Sequence, residues 1–225
     1  MANNYNNVDT TIMSFYNKSS FLKVKSDGFG IDRLKFTFGS TDENNKLVAS
    51  ADYWLDFAKG DAYVFLQDII SGKLAAEMSQ EEKKRLKENP ANKYAQPIRK
   101  FQGGYSAENA KKKGIRTDGQ AHAKVMTVSK GLKYPVVFTV EEGPGKETPE
   151  GLICPTYKRN PEIQIRVTLT WDNVKALALA VTAHHDAYLA VKYANVEREL
   201  KKQRSQYNNT KHTAPSIEEM ADNIV

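Results

Sequence analysis

The chain has one cysteine, Cys154, in 225 residues. No internal disulfide can form, and the reading that fits is a reducing, cytoplasmic setting. No apolar run reaches the ~18 residues that a membrane span needs, and the Asn-rich start, Ala2 to Asn7, does not read as a signal peptide. There is no Gly-x-Gly-x-x-Gly and no phosphate loop ending in Gly-Lys-Ser/Thr. Zinc-type Cys/His spacing is also missing, and no cofactor is implied. His184 and His185 are adjacent on helix-forming sequence and point in different directions, so they do not chelate one ion together. Cys154 sits beside Pro155 with no evident base. The carboxylate pairs Glu141–Glu142 and Glu218–Glu219 fall in stretches read as loop and tail. No catalytic residue is assigned, and the chain is read as a non-enzyme.

The formal net charge is +6 and the pI about 9.1, and the charge is unevenly spread. Between Lys93 and Lys133 ten lysines and arginines face only Glu108 and Asp118. That surplus exceeds the charge of the whole chain, so the rest is slightly acidic. The cations are Lys93, Arg99, Lys100, Lys111, Lys112, Lys113, Arg116, Lys124, Lys130 and Lys133, and Tyr94, Phe101, Tyr105 and Tyr134 are interleaved. A solvated loop whose lysines confer solubility would look similar. The functional reading is nucleic-acid binding: cations displace counterions from phosphates, and aromatic rings give unpaired bases a stacking platform.

Alternation supplies the frame. In Ile163–Leu169 the apolar residues Ile163, Ile165, Val167 and Leu169 take one face and Gln164, Arg166 and Thr168 the other, a half-buried strand. At Thr170 the period changes. Thr170 can cap a helix and Asp172 suits its positive end. Val174, Leu177, Val181, Tyr188 and Val191 then give an amphipathic stripe. A helix unbroken to Gln203 would be ~50 Å long, more than one small sheet covers, so its far end is expected to meet solvent or another subunit.

Residues 1–11 read as a flexible segment. Further strands are expected over Phe21–Lys25, about Leu34–Phe38, over Lys46–Ala51, Lys124–Ser129 and Pro135–Glu141, with Gly39–Asn45 as a hairpin turn. Asp52 is read as opening a helical segment that Gly60–Asp61 divides, with a second half that is helix or strand. Ser79 with Glu82 gives a capping-box pattern for a short helix stopped by Pro90. Residues 79–120 form a basic insertion, and Glu141–Pro155 a Gly- and Pro-rich loop. The order is strands then helix, twice over: units of about 12–78 and 93–203 within one pseudo-duplicated domain, 12–203. A flexible acidic-tipped tail, 204–225, follows.

Within Phe21–Lys25, Phe21 shares the non-core face with Lys23 and Lys25. It could stack on a base or pack under a neighbouring loop. Arg33 and Lys35 occupy the polar face of the next strand. The candidate binding residues are therefore Lys18, Phe21, Lys23, Lys25, Arg33, Lys35, Lys93, Tyr94, Arg99, Lys100, Phe101, Tyr105, Arg116, Lys124, Lys130, Lys133 and Tyr134; Lys18 enters through the resemblance that follows.

The strand and helix from Pro161 to Asn195 resemble the last strand and long helix of the Whirly single-stranded-DNA-binding proteins. The segment from Phe15 to Val24 resembles that family's Lys-Gly-Lys-Ala-Ala-Leu-Ser-Val strand, with Lys18 in place of its second lysine, although the glycine is missing and Phe21 and Lys23 are departures. The resemblance implies an α+β fold with two antiparallel β-sheets and a long C-terminal helix. It also implies a homo-oligomer, a tetramer assembled through helices, and single-stranded DNA along the sheet faces. The expected function is sequence-independent binding of single-stranded DNA, or RNA, that coats or anneals strands in replication or recombination, as in a phage or mobile element. Glu218, Glu219, Asp222, Ile224 and Val225 resemble the acidic tails that recruit replication or recombination proteins. Two other readings stand beside it: an OB-fold barrel with a helical extension that binds single strands, and an oligomeric structural protein that binds no nucleic acid.

Overall fold

The computed structural model describes residues 8–89 and 95–212. The chain divides into two compact units, 1–184 and 185–225. Among the described residues no helix is long and apolar enough to cross a membrane.

The first unit is α+β, with two antiparallel sheets. β1 (Thr11–Tyr16), β2 (Ser20–Lys25), β3 (Arg33–Thr41) and β4 (Leu47–Asp56) form a four-stranded meander, sheet A. α1 (Asp61–Ile70) and α2 (Lys73–Glu88) follow. Sheet B then runs through β5 (Pro97–Tyr105), β6 (Ala121–Lys130), β7 (Val136–Glu147), β8 (Ile153–Pro155) and β9 (Ile163–Leu169), with a short helix α3 (Ala107–Lys112) between β5 and β6. β7 is long enough to carry β9 along Val136–Glu142 and β8 along Gly145–Glu147 on the edge away from β6. α4 (Trp171–His212) comes last. The strands make two open sheets, not the single closed barrel of an OB-fold.

Alternation fixes which face of each sheet is dry. In sheet A, Leu22, Val24, Leu34, Phe36, Phe38, Ala51, Tyr53 and Leu55 are buried. In sheet B the buried face carries Met126, Val128, Val136, Phe138, Val140, Ile165, Val167 and Leu169. Phe138 joins three elements: it stacks on Phe36 of β3 at 6.4 Å between ring centroids and meets the edge of Phe65 of α1 at 6.1 Å. Phe138→Ala is expected to cost about 3–5 kcal/mol, measured by urea unfolding of the full chain.

The strand-to-helix junction at 163–174 forms as the alternation requires. Thr170 Oγ1 accepts from Asn173 N–H at 3.2 Å, and Thr170 O accepts from Val174 N–H at 3.1 Å. Val174, Leu177, Ala178 and Val181 are fully buried. The free edge of β9 is closed by side chains from the β1–β2 turn. Thr168 N–H donates to Asn17 Oδ1 at 2.8 Å, Asn17 Nδ2 donates to Thr168 O at 3.2 Å, and Ser20 Oγ donates to Arg166 O at 2.8 Å. Asn17 thus stands in for a neighbouring strand and ties sheet A to sheet B. Asn17→Ala should cost about 1–2 kcal/mol and speed hydrogen exchange at the Thr168 amide.

Several expectations are corrected. β1 begins at Thr11, the last residue of the segment read as flexible; only Phe15 of its side chains is buried, so its alternation is weak. No helix opens at Asp52. β4 continues to Asp56 with Tyr53 and Leu55 inward, and the helix waits for Gly60, whose φ of 86° is a left-handed value that favours glycine. The Ser79–Glu82 pair lies inside α2, which starts after Gly72. Residues 79–120 hold part of α2 and all of β5 and α3, and β5 pairs along β6. The loop expected over Glu141–Pro155 is largely strand. Gly143 and Gly145 serve close approach, since a Cβ on Gly145 would sit 2.9 Å from the Ala123 Cβ and 3.0 Å from Cys154 O, while Gly151, with φ 78°, makes the turn between β7 and β8. α4 runs past Gln203 to His212.

Candidate nucleic-acid interface

The outward face of sheet B is polar at its two ends, with Val125 and Thr139 buried between them, and its register draws one continuous row. Lys100 of β5 lies opposite Thr127 of β6, Thr127 opposite Thr139 of β7, and Thr139 opposite Arg166 of β9. Three inter-strand spacings separate the two cations, about 14 Å. Both are exposed, and among the described residues neither is ion-paired. Next to this row, Gln102, Val125, Glu141 and Gln164 form a second one.

A cleft of about 830 Å³ opens over this face. Its rim is the β6–β7 turn, with Lys133 and Tyr134, and the segment after β8, with Tyr157 and Lys158. Gly131 is required in that turn because a Cβ there would approach Tyr134 O to 2.3 Å. Tyr134 is 42% exposed, with the Lys133 ammonium 5.8 Å from its ring centroid. Tyr157 is half-buried. Burial, with the Glu141 carboxylate next to it, pushes its phenol well above the usual range, so it stays neutral. Glu141 is the acidic residue among the described residues lining the cleft. It accepts from Gln164 Nε2 at 2.6 Å and from the Tyr157 hydroxyl at 3.5 Å. Lys130 borders the cleft but pairs with Glu82 of α2 at 2.7 Å.

Sheet A offers a smaller surface. Phe21 neither stands free nor packs under a loop. It lies across Gly39 of the neighbouring strand, where a Cβ would come within 2.1 Å of its ring. Tyr16, 67% exposed, is beside it at 6.0 Å, and the Lys23 ammonium is 5.5 Å from the Phe21 centroid. Lys18 is exposed in the β1–β2 turn, and Lys25 is partly covered. The Phe21–Gly39 contact is the usual way an aromatic covers a glycine across a strand pair.

The structure takes other candidates off the surface. Arg99 and Phe101 alternate inward from Lys100. Arg99 pairs with Glu77 at 2.6 Å and with buried Asp68, and Phe101 meets Phe65 edge-on at 5.5 Å. Lys124 pairs with buried Glu142 and donates to Asp52 O at 3.1 Å. Tyr105 stacks on His122, with the Lys113 and Lys124 ammonium groups near its ring. Arg116 bridges Asp118 and Glu162, which raises its pKa further, and Asp118 is held at about 2 mainly by the Arg116 hydrogen bond. Lys35 lies between Asp52 at 3.1 Å and Asp27 at 3.3 Å, with Trp54 at 5.0 Å. Arg33, by contrast, stays exposed, with only a loose pair to Asp56 at 3.9 Å. Lys93 and Tyr94 lie outside the described residues. The surface set that remains from the sequence reading is Lys18, Phe21, Lys23, Lys25, Arg33, Lys100, Lys133 and Tyr134, with Lys130 partly covered and paired to Glu82. Arg166, Tyr157 and Lys158 join it from outside that reading. For Arg166 the signal was present, as the cation on the polar face of an evident strand.

Among the described residues no group of three or more His, Cys, Asp or Glu could hold a metal ion. The elements define an α+β protein of two antiparallel sheets, with a groove of cations, most of them outside ion pairs, and tyrosines on one of them. Among solved structures, the chain is similar to the plant transcriptional regulator PBF-2, with a TM-score of 0.42 and 13% identity over 82% of this chain and 86% of that one. No protein-family model matches the sequence, and no curated protein matches it.

Proposed function

We propose that the protein binds single-stranded nucleic acid without regard to sequence, with the sheet B cleft as the main site and the Tyr16–Phe21–Lys23 surface of sheet A as a secondary one. The observation that carries this is the Lys100–Thr127–Thr139–Arg166 row, flanked by Lys133, Tyr134, Tyr157 and Lys158. Exposed cations without carboxylate partners are available to phosphates, and the partly exposed Thr127 between them can hydrogen-bond to a backbone. Tyrosine rings at the rim favour unpaired bases, because a base within a duplex has no free face to stack. Such a site binds and holds; it requires no nucleophile and no cofactor. DNA is the favoured strand, and coating or annealing in replication or recombination, in a cytoplasmic setting, is the role that sequence-independent binding suits. The proposed partners of the acidic tail, residues 218–225, lie outside the described residues.

Fluorescence anisotropy with labelled oligo-dT, titrated with salt, tests this. Binding at ~50 mM salt should weaken with a log–log slope of about 0.7 per phosphate neutralised, and unlabelled duplex should compete poorly. The same titration with oligo-rU sets DNA against RNA. Failure to bind oligo-dT or oligo-rU at that salt would contradict the proposal.

A further inference from the structure

The second unit is described as helix from His185 to His212. Tyr188 and Val191 continue the stripe of the first half of α4, and a second set of side chains is offset from it. Leu189, Tyr193, Val196, Leu200, Gln203 and Tyr207 are spaced four, three, four, three and four apart. That is a heptad seam, with Leu189, Val196 and Gln203 at d and Tyr193, Leu200 and Tyr207 at a. Tyr193 is 65% exposed, Val196 49% and Leu200 47%. Aligned apolar side chains left this open on one helix face need a partner.

The flanking charges say which partner. In a parallel two-stranded coil, a g residue faces the e residue five positions on in the other chain. Lys192 at g would face Glu197 of a second copy, and Glu199 at g would face Arg204. Both pairs are opposite in sign, and both recur twice by symmetry. The glutamates' partners within the helix are weak competitors, since Glu197 with Lys201 at 3.0 Å and Glu199 with Lys202 at 2.7 Å are exposed pairs, and Lys192 also lies 5.9 Å from the Tyr188 ring centroid. Gln203 is the polar seam residue, of the kind that fixes register at some cost in stability.

We infer that the distal part of α4, residues 189–207, forms a parallel, in-register two-stranded coiled coil with a second copy of this chain. The partner is thus another molecule of the same protein, aligned head to head. The coil brings two nucleic-acid-binding units into one particle, and it holds whether or not the cleft binds nucleic acid.

Cysteine cross-linking in the full chain, in a Cys154→Ser background, tests the geometry. Val196→Cys and Gln203→Cys, both at d, should each give disulfide-linked dimers under mild oxidation, whereas Arg198→Cys, on the outer face at f, should not. An antiparallel coil can centre on only one of the two d positions. Cross-linking at a single d position, or equally at 198, would overturn the inference. A charge exchange in the Val196→Cys background supplies the second readout. Lys192→Glu alone or Glu197→Lys alone should raise the protein concentration needed for half cross-linking roughly tenfold, and the two together should restore it. Single substitutions without effect, or a double variant worse than either, would rule the pairing out.

Discussion

Reversing the charge at both ends of the sheet B row, with Lys100→Glu and Arg166→Glu together, is expected to lower affinity for oligo-dT about 100-fold at low salt. Each substitution removes one phosphate contact and adds one repulsion. The salt dependence should flatten as well, by about 1.4 in the log–log slope if two single-strand contacts are lost. Both side chains are exposed, and among the described residues neither has an ion-pair partner to leave stranded, so the fold should be unaffected. The matched control is Lys83→Glu with Lys84→Glu on the exposed face of α2, which changes the net charge by the same amount. If binding follows net charge alone, the two double variants will fall equally. If the row is the site, the control will lose little and keep the wild-type slope.

Glu142→Ala is expected to destabilise the fold by about 3 kcal/mol, because it leaves the part-buried Lys124 ammonium without its counter-charge. Glu142 is 7% exposed, and its carboxylate lies 3.0 Å from His122 Nε2 and within hydrogen-bond distance of Lys124 Nζ. Burial alone would push its carboxyl up, but the hydrogen bonds from His122 and Lys124 outweigh burial and hold it below the usual value of 4.5. A carboxyl lowered in the folded state stabilises most where the unfolded chain is also ionised. The contribution is therefore complete above about pH 4.5 and is lost as pH falls through the lower folded value. Urea unfolding should show a wild-type stability that declines below that point, and a Glu142→Ala variant with a shallower decline. Replacing the pair together, with Lys124→Met and Glu142→Leu, should recover much of the loss, since an apolar pair of similar volume avoids the desolvation cost.

The contrast between Lys100 and Arg99 shows what the sequence could and could not say. Both were visible as members of a basic stretch. Only the pairing of β5 along β6 sends Arg99 inward to Asp68 and Glu77 and Lys100 outward to the cleft. Those carboxylates lie 31 and 22 residues earlier in the chain, so no local charge count finds them. β5 itself was illegible because Arg99–Lys100 and Gly103–Gly104 break the alternation that marks a strand. β2, β3 and β9 were legible because one face of each is continuously apolar and the other polar. β4 misled because Tyr53, Trp54 and Leu55 give an apolar run that suits helix or strand equally; the observed strand sends Tyr53 and Leu55 inward and leaves Trp54 beside Lys35. Arg166 was legible as the cation on a polar face, but its place at the end of the Lys100 row depends on a register across four strands. Tyr157 and Lys158 carried no periodic signal at all, because they follow β8 in irregular chain.

Photocross-linking with an oligonucleotide of 5-iododeoxyuridine, mapped by mass spectrometry, tests the central claim most directly. Aromatic side chains against which bases stack are the expected points of attachment. The sheet B cleft predicts cross-links at Tyr134 and Tyr157, lost in the Lys100→Glu, Arg166→Glu variant. Cross-links confined to Tyr16 and Phe21, or found only on α2 or α4, would contradict it.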